Sequence, residues 1–152
     1  RLHYRIAELQ ATRSGEGSLP LLLDTDGYLA EGSGWNVFLV KDGVLVTPEP
    51  RNILLGVSRG VTMSLARKLG MEVREMNLGR YEALMADEIF CTATTYCLVH
   101  AASIEGQTIG DGQPGPVFRK LMEAWKEYVG VDFVAQAHAY ASRLEGWQQN
   151  NA

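Results

Sequence analysis

The sequence predicts an α+β domain, or a helix-flanked β-barrel, and three observations carry that prediction. Short β-type runs crowd the first two thirds of the chain. Among them is a strong hairpin signal, Lys41-Asp42-Gly43 between the apolar runs 36–40 and 44–47. Helical stripes interrupt the strands irregularly and then take over the end, whereas a doubly wound sheet would alternate strand with helix.

Taken in order, Leu2, Ile6 and Leu9 share one helical face while Arg5, Glu8 and Arg13 take the other. Residues 1–12 therefore read as an amphipathic helix, broken by Ser14-Gly15-Glu16-Gly17-Ser18. Residues 19–23 read as a short buried strand, Asp24-Thr25-Asp26-Gly27 as a turn, and 28–31 as the start of the next strand. The Asp-Thr-Asp-Gly run shares letters with a calcium loop but lacks the other ligands and the terminal Glu. After the hairpin comes an irregular connection at 48–52. Residues 53–56 then lead into a helix carrying Val57, Val61, Leu65 and Leu69 on one side and closing on Gly70.

Met71 and Val73 alternate with Glu72, Arg74 and Glu75 as a half-buried strand over 71–76. Residues 78–86 read as a short helix, and 87–93 as a strand emerging into Thr92-Ala93-Thr94-Thr95. Residues 98–104 form another strand, ending at the turn Glu105-Gly106. Beyond a Gly-rich loop, Val117, Leu121, Ala124, Trp125 and Tyr128 form one helical stripe, and Phe133, Val134, Ala137, Ala141 and Leu144 a second. The polar end reads as a frayed tail. The expected division is a domain over 1–145 and a tail over 146–152, with no repeat or linker inside the domain.

At 152 residues, 46 % hydrophobic and a mean hydropathy of −0.09, the chain can bury the core of one soluble domain. A net charge of −4 argues against a nucleic-acid surface. No apolar run approaches the roughly 20 residues of a membrane span, so no membrane partner is expected. Cys91 and Cys97 have no second Cys or His pair at zinc spacing and read as buried free thiols of a reducing, cytoplasmic compartment. His3, His100 and His138 show no metal spacing either.

Four local features could carry chemistry. Glu31, set among small residues at the mouth of the hairpin, is either a solvated acid or an acid placed for a purpose. Gly56-Val57-Ser58-Arg59 takes a glycine straight into a helix. That start suits a phosphate, through free N–H groups and the Ser58 hydroxyl, or Ser58 simply caps it. Thr92, Thr94 and Thr95 put hydroxyls at a strand end. Gly110-Asp111-Gly112-Gln113-Pro114-Gly115 satisfies G-x-G-x-x-G, but it follows a turn-rich segment and holds Pro114 where a dinucleotide helix would open, so it reads as a coincidence.

In order and spacing, LLLDTDGYLAEGSGWNVFLVKDGVLVTP, then LLGVSR, ADEIFCTATT and IEGQTIGDGQPGPV resemble the class IV aminotransferases, the family of branched-chain and D-amino-acid aminotransferases, across about residues 1–128. The resemblance implies the large C-terminal domain of a fold-type IV enzyme that binds pyridoxal 5′-phosphate. It acts on an amino donor and a 2-oxo acid acceptor, and it works as a homodimer. Glu31 would partner the protonated pyridine nitrogen, because a protonated ring withdraws electrons from the reacting carbon. Gly56, Val57, Ser58 and Thr94 would hold the phosphate, Thr95 the substrate carboxylate, and Tyr4 the ring hydroxyl.

The resemblance also places the Schiff-base lysine a few residues before Tyr4, upstream of Arg1, and a phosphate-binding Arg in a smaller preceding domain. Lys41, Lys68, Lys120 and Lys126 do not match that lysine. The chain is therefore expected to be part of a longer enzyme and inactive by itself. An aminodeoxychorismate-lyase-type reaction, or a non-catalytic relative kept for assembly or ligand binding, are the alternatives. After Thr95 the chain reads Tyr96-Cys97-Leu98-Val99-His100, where many family members carry a small-Glu-hydrophobic-Thr-Pro run, which leaves the substrate open. Trp35 either shapes the pocket or packs in the core.

Overall fold

The computed structural model describes the backbone of residues 2–15 and 17–150 and the side-chain burial of 2–15 and 17–143. The expected helix start at Arg1, the breaker residue Glu16, the Leu144 end of the second stripe and the last two residues of the expected tail lie outside those limits. The chain opens with helix α1 (Leu2–Ala11). Strands β1 (Glu31–Gly32), β2 (Trp35–Lys41) and β3 (Val44–Pro48) follow. Between β2 and β3, Asp42 and Gly43 both take positive φ (49° and 77°), the primed turn that an Asp-Gly pair favours.

Helix α2 (Val57–Lys68) crosses over to β4 (Val73–Met76), which pairs parallel to β3. Helix α3 (Arg80–Leu84), β5 (Glu88–Ala93) and β6 (Cys97–His100) come next. The small hairpin β7 (Ser103–Ile104) and β8 (Gln107–Thr108), then α4 (Pro116–Val129) and α5 (Phe133–Asn150), complete the chain.

The main sheet runs β4-β3-β2-β5-β6, with β1 paired to the start of β2. The architecture is α+β, and among the described residues the sheet does not close: β4 and β6 are its two edges, so the barrel expectation is corrected to an open sheet. β2 lies at the centre with both faces covered, which is why Val37, Phe38, Leu39 and Val40 are apolar without alternation.

On one face Phe38, Val40, Leu45, Phe90 and Leu98 pack against Met63, Leu65 and Ala66 of α2 and Phe118, Leu121 and Trp125 of α4. Phe38 and Phe90, directly opposite across β2 and β5, stack with centroids 5.4 Å apart. On the other face Trp35, Val37, Leu39, Val46, Ile89 and Cys91 meet Leu29, Leu78, Ala83 and Ile109.

Several sequence expectations shift. Residues 19–23 form no strand: the bridge from Leu23 to Leu29 and the Leu22 backbone bonds to Glu31 and Ala30 are too few to make a ladder, and Leu19 and Leu23 are exposed. The buried side of α2 is Ser58, Arg59, Thr62, Met63, Leu65 and Ala66, and Val57 points away from it. On α4, Phe118 is buried while Tyr128 is exposed. The strand expected over 98–104 breaks after His100 and resumes as the separate hairpin β7–β8. The backbone stays helical to Asn150, through residues read as a polar tail.

Candidate functional site

Glu31 is buried, 6 % exposed, and is held by three donors from distant parts of the chain. The Tyr4 hydroxyl donates to its Oε1 at 2.6 Å. Asn36 Nδ2 and the Leu54 N–H donate to its Oε2 at 3.1 and 2.8 Å. A buried carboxylate is costly unless hydrogen-bonded, and these donors are what make the position tolerable. The bond to Glu31, then burial, then the Glu31 charge push the Tyr4 phenol up to about 12, so Tyr4 stays a donor at neutral pH.

The sheet register explains the placement. Glu31 lies opposite Asn36, and Asn36 opposite Thr92, so all three share the face covered by α2. The Oγ1 of Thr92, a residue only 1 % exposed, has no hydrogen-bond partner among the described residues. Thr94 and Thr95 follow in the turn beyond β5, exposed at the same end of the sheet.

Gly56 is the N-cap of α2, with no side-chain capping bond. The Gly60 N–H to Gly56 carbonyl bond, 3.0 Å, opens the helix, so the N–H groups of Val57, Ser58 and Arg59 have no acceptor within it. Ser58 is buried inside the first turn and does not cap, which sets aside the capping alternative. Gly56 is required by close approach: a Cβ there would lie 2.3 Å from Asn36 Oδ1. Arg59 pins this turn to the sheet through the Pro48 carbonyl (2.9 Å) and Glu75 (2.6 Å).

Glu31, Tyr4, Gly56 and the start of α2 thus meet at one end of the sheet. Sequence reasoning missed Asn36 and the Leu54 N–H. The asparagine stood in the quoted motif, but nothing local marked it as the residue joining two segments. Trp35 belongs to the opposite face, packed over Gly32, where an added Cβ would reach within 1.8 Å of the indole. It therefore fills the core and does not line the site.

The other candidates lie elsewhere. Asp24 accepts from the Asp26 and Tyr28 N–H groups and from Asn52 Nδ2, as a turn residue does, and its carboxyl is held below the usual range mainly by Asn52. No cluster of three metal-ligating side chains occurs among the described residues. At Gly115 the G-x-G-x-x-G run ends on α4, but Glu88 already occupies that helix start, accepting from Val117 and Phe118 N–H at 2.9 and 2.8 Å. A phosphate there would meet a carboxylate. The neighbouring cavity of about 400 Å³, lined by Asp87, Glu88, Asp111 and Arg119, sits at the far end of β2 from Asn36. Lys41 pairs with Asp87 at that far end and Lys126 with Glu123 and Asp132.

The chain is similar to known proteins over most of its length. The family described as amino-transferase class IV matches residues 1–104. The branched-chain-amino-acid aminotransferase of Pseudomonas aeruginosa is 39 % identical over 131 residues, 86 % of this chain and 42 % of that protein. Among solved structures, the branched-chain amino acid aminotransferase from Escherichia coli matches with a TM-score of 0.78 at 38 % identity, covering 82 % of this chain and 42 % of the other. That of Thermobaculum terrenum, in its PLP form, gives a TM-score of 0.78 at 34 % identity, covering 86 % and 43 %. The chain spans less than half the length of these relatives.

Proposed function

This chain belongs to the amino-transferase class IV family, and from that membership we propose that it is the cofactor-binding domain of a pyridoxal 5′-phosphate-dependent aminotransferase, taking a branched-chain amino acid as donor and a 2-oxo acid as acceptor. The observation that carries the reading is the buried Glu31 carboxylate at the same sheet end as the uncapped start of α2. Those groups fit the two ends of the cofactor. A protonated ring nitrogen calls for a carboxylate, and a phosphate for free N–H groups, a backbone without a Cβ and nearby hydroxyls. The orphaned, buried Thr92 hydroxyl adds to that fit.

Pyridoxal phosphate, when bound, supplies a ring that takes up the electron pair left on the amino acid's α-carbon and carries the amino group from donor to acceptor. Glu31 would hold the proton on the ring nitrogen, since its Oε1 accepts a single bond in this structure and is free to accept another. Tyr4, its own proton committed to Glu31, would accept from the ring hydroxyl. The Val57 and Ser58 N–H groups, the Ser58 hydroxyl and Thr94 would hold the phosphate. The Thr95 backbone would orient the substrate carboxylate.

A Schiff-base lysine would be needed in addition to the residues of this domain, and the whole protein would work as a cytoplasmic homodimer. The apolar side chains of Leu54, Leu55 and Val57, 73, 68 and 74 % exposed around the same end, are surface of the kind such an assembly covers.

The test is made on the full-length protein. It should show the visible absorbance of bound cofactor, lost on borohydride reduction. Glu31→Gln should retain cofactor yet turn over about a hundredfold more slowly or worse. A full-length protein with no lysine upstream of Tyr4 and no such absorbance would refute the reading.

A further inference from the structure

We infer that Asn36 is a positioning residue that sets the two ends of the cofactor site against each other, an inference that rests on the proposed pyridoxal phosphate site. Its side-chain nitrogen has two hydrogens and both are used. One goes to Glu31 Oε2 at 3.1 Å, the other to the Leu54 carbonyl at 2.9 Å. The Leu54 N–H returns to the same Glu31 oxygen at 2.8 Å, closing a ring of acid, amide and backbone. The amide oxygen lies against Gly56, close enough that a Cβ there would stand 2.3 Å away. Leu54 is two residues before that N-cap, and its carbonyl also accepts the Gly56 N–H at 2.9 Å.

One buried side chain on the central strand therefore grips the group that faces the ring nitrogen and the backbone that delivers the phosphate-binding N–H groups. Neither end can shift without moving Asn36. For a rigid ligand with a charge at each end, fixing that separation in advance lowers the ordering cost of binding. Nothing in the amide itself has to touch the cofactor. Aspartate would keep the shape but set a second carboxylate, with no donors, against Glu31 and the Leu54 carbonyl.

The experiment uses the full-length protein with Asn36→Ala, Asn36→Asp, Gly56→Ala and the pair N36A/G56A. Three quantities are measured: pyridoxal phosphate affinity, the position of the bound cofactor's absorbance band, and the melting temperature without cofactor. N36A and N36D should each weaken affinity about ten- to a hundredfold and move the band, since Glu31 loses one of its three donors and, in N36D, also faces a second carboxylate. N36D supplies the answer should N36A not fold. G56A should weaken affinity by displacing the amide. In N36A/G56A the added methyl enters space the amide has left, so the melting temperature should recover relative to G56A while affinity stays low. Affinity and band unchanged within about twofold in N36D, or affinity recovering together with stability in the double variant, would show that Asn36 only fills space. A wild-type protein that takes up no pyridoxal phosphate would refute the cofactor reading and this inference with it. A wild-type that binds it normally beside indifferent Asn36 variants would refute this inference alone.

Discussion

Replacing Tyr4 by Phe removes one of the three donors to Glu31, and the consequence can be worked out in sign and size. The Tyr4 proton goes to Glu31 Oε1 at 2.6 Å, and its phenol is raised from 10.0 to about 12. A folded value raised above the unfolded one adds stability that is fully present below about pH 10. That stability is lost as pH rises through about 12, because the unfolded chain releases a proton that the folded chain keeps. Two units correspond to roughly 2.7 kcal/mol. Tyr4 is only partly buried, so solvent screening reduces that to about 1 kcal/mol.

In denaturant unfolding of the cofactor-free full-length protein, Tyr4→Phe should therefore cost about 1 kcal/mol near neutral pH. The gap between wild type and variant should close between about pH 10 and 12. Taking the difference between the two proteins removes the other tyrosines, including Tyr96, which burial also raises to about 12. The difference in phenolate absorbance should show one group titrating near 12, and Glu31→Gln should bring it down. A Tyr4 that titrates near 10, or a stability gap that stays constant across the alkaline range, would refute the assignment of this bond.

Two further outcomes follow from the other end of the sheet and from the thiols. Glu88→Ala strands the Val117 and Phe118 N–H groups at the positive end of α4. With the adjoining cavity admitting water, it should cost about 2 kcal/mol and lower the melting temperature by roughly 4–8 °C; an unchanged melting temperature would contradict the capping role. Burial pushes the Cys91 thiol up to about 12, and Cys97 is raised by burial as well while remaining partly accessible. A thiol reagent at about pH 8 should label Cys97 in the folded protein and Cys91 only as the protein unfolds; rapid labelling of Cys91 would overturn its placement.

Much of this architecture is written locally. Asp42-Gly43 between β-branched runs specifies its hairpin because only residues tolerant of positive φ make that turn. Gly70 and Gly130, both at positive φ, close α2 and α4 where the helical stripes run out. The ordered motifs around Glu31, Gly56 and Thr94 were readable as a family pattern for the same reason, since each is a short run of contiguous letters.

What neighbours in sequence could not decide was environment. From its own surroundings Glu31 was as well explained by solvent as by a site. It is buried because residues 4, 36 and 54 bring donors to it across the fold, and a one-dimensional pattern holds no term for partners 27, 5 and 23 positions away. The same holds for Trp35, sent to the opposite face by strand alternation once the register was set. It holds for α2, whose buried side was chosen by the sheet beneath it, and for Glu88, which closes a helix beginning about thirty residues later. The sequence by itself determined the turns, the helices and the identity of the chemical groups. The tertiary structure decided which of those groups lost their water, because desolvation depends on what packs from elsewhere, and that is what turned an ordinary acid into a buried carboxylate held by three donors.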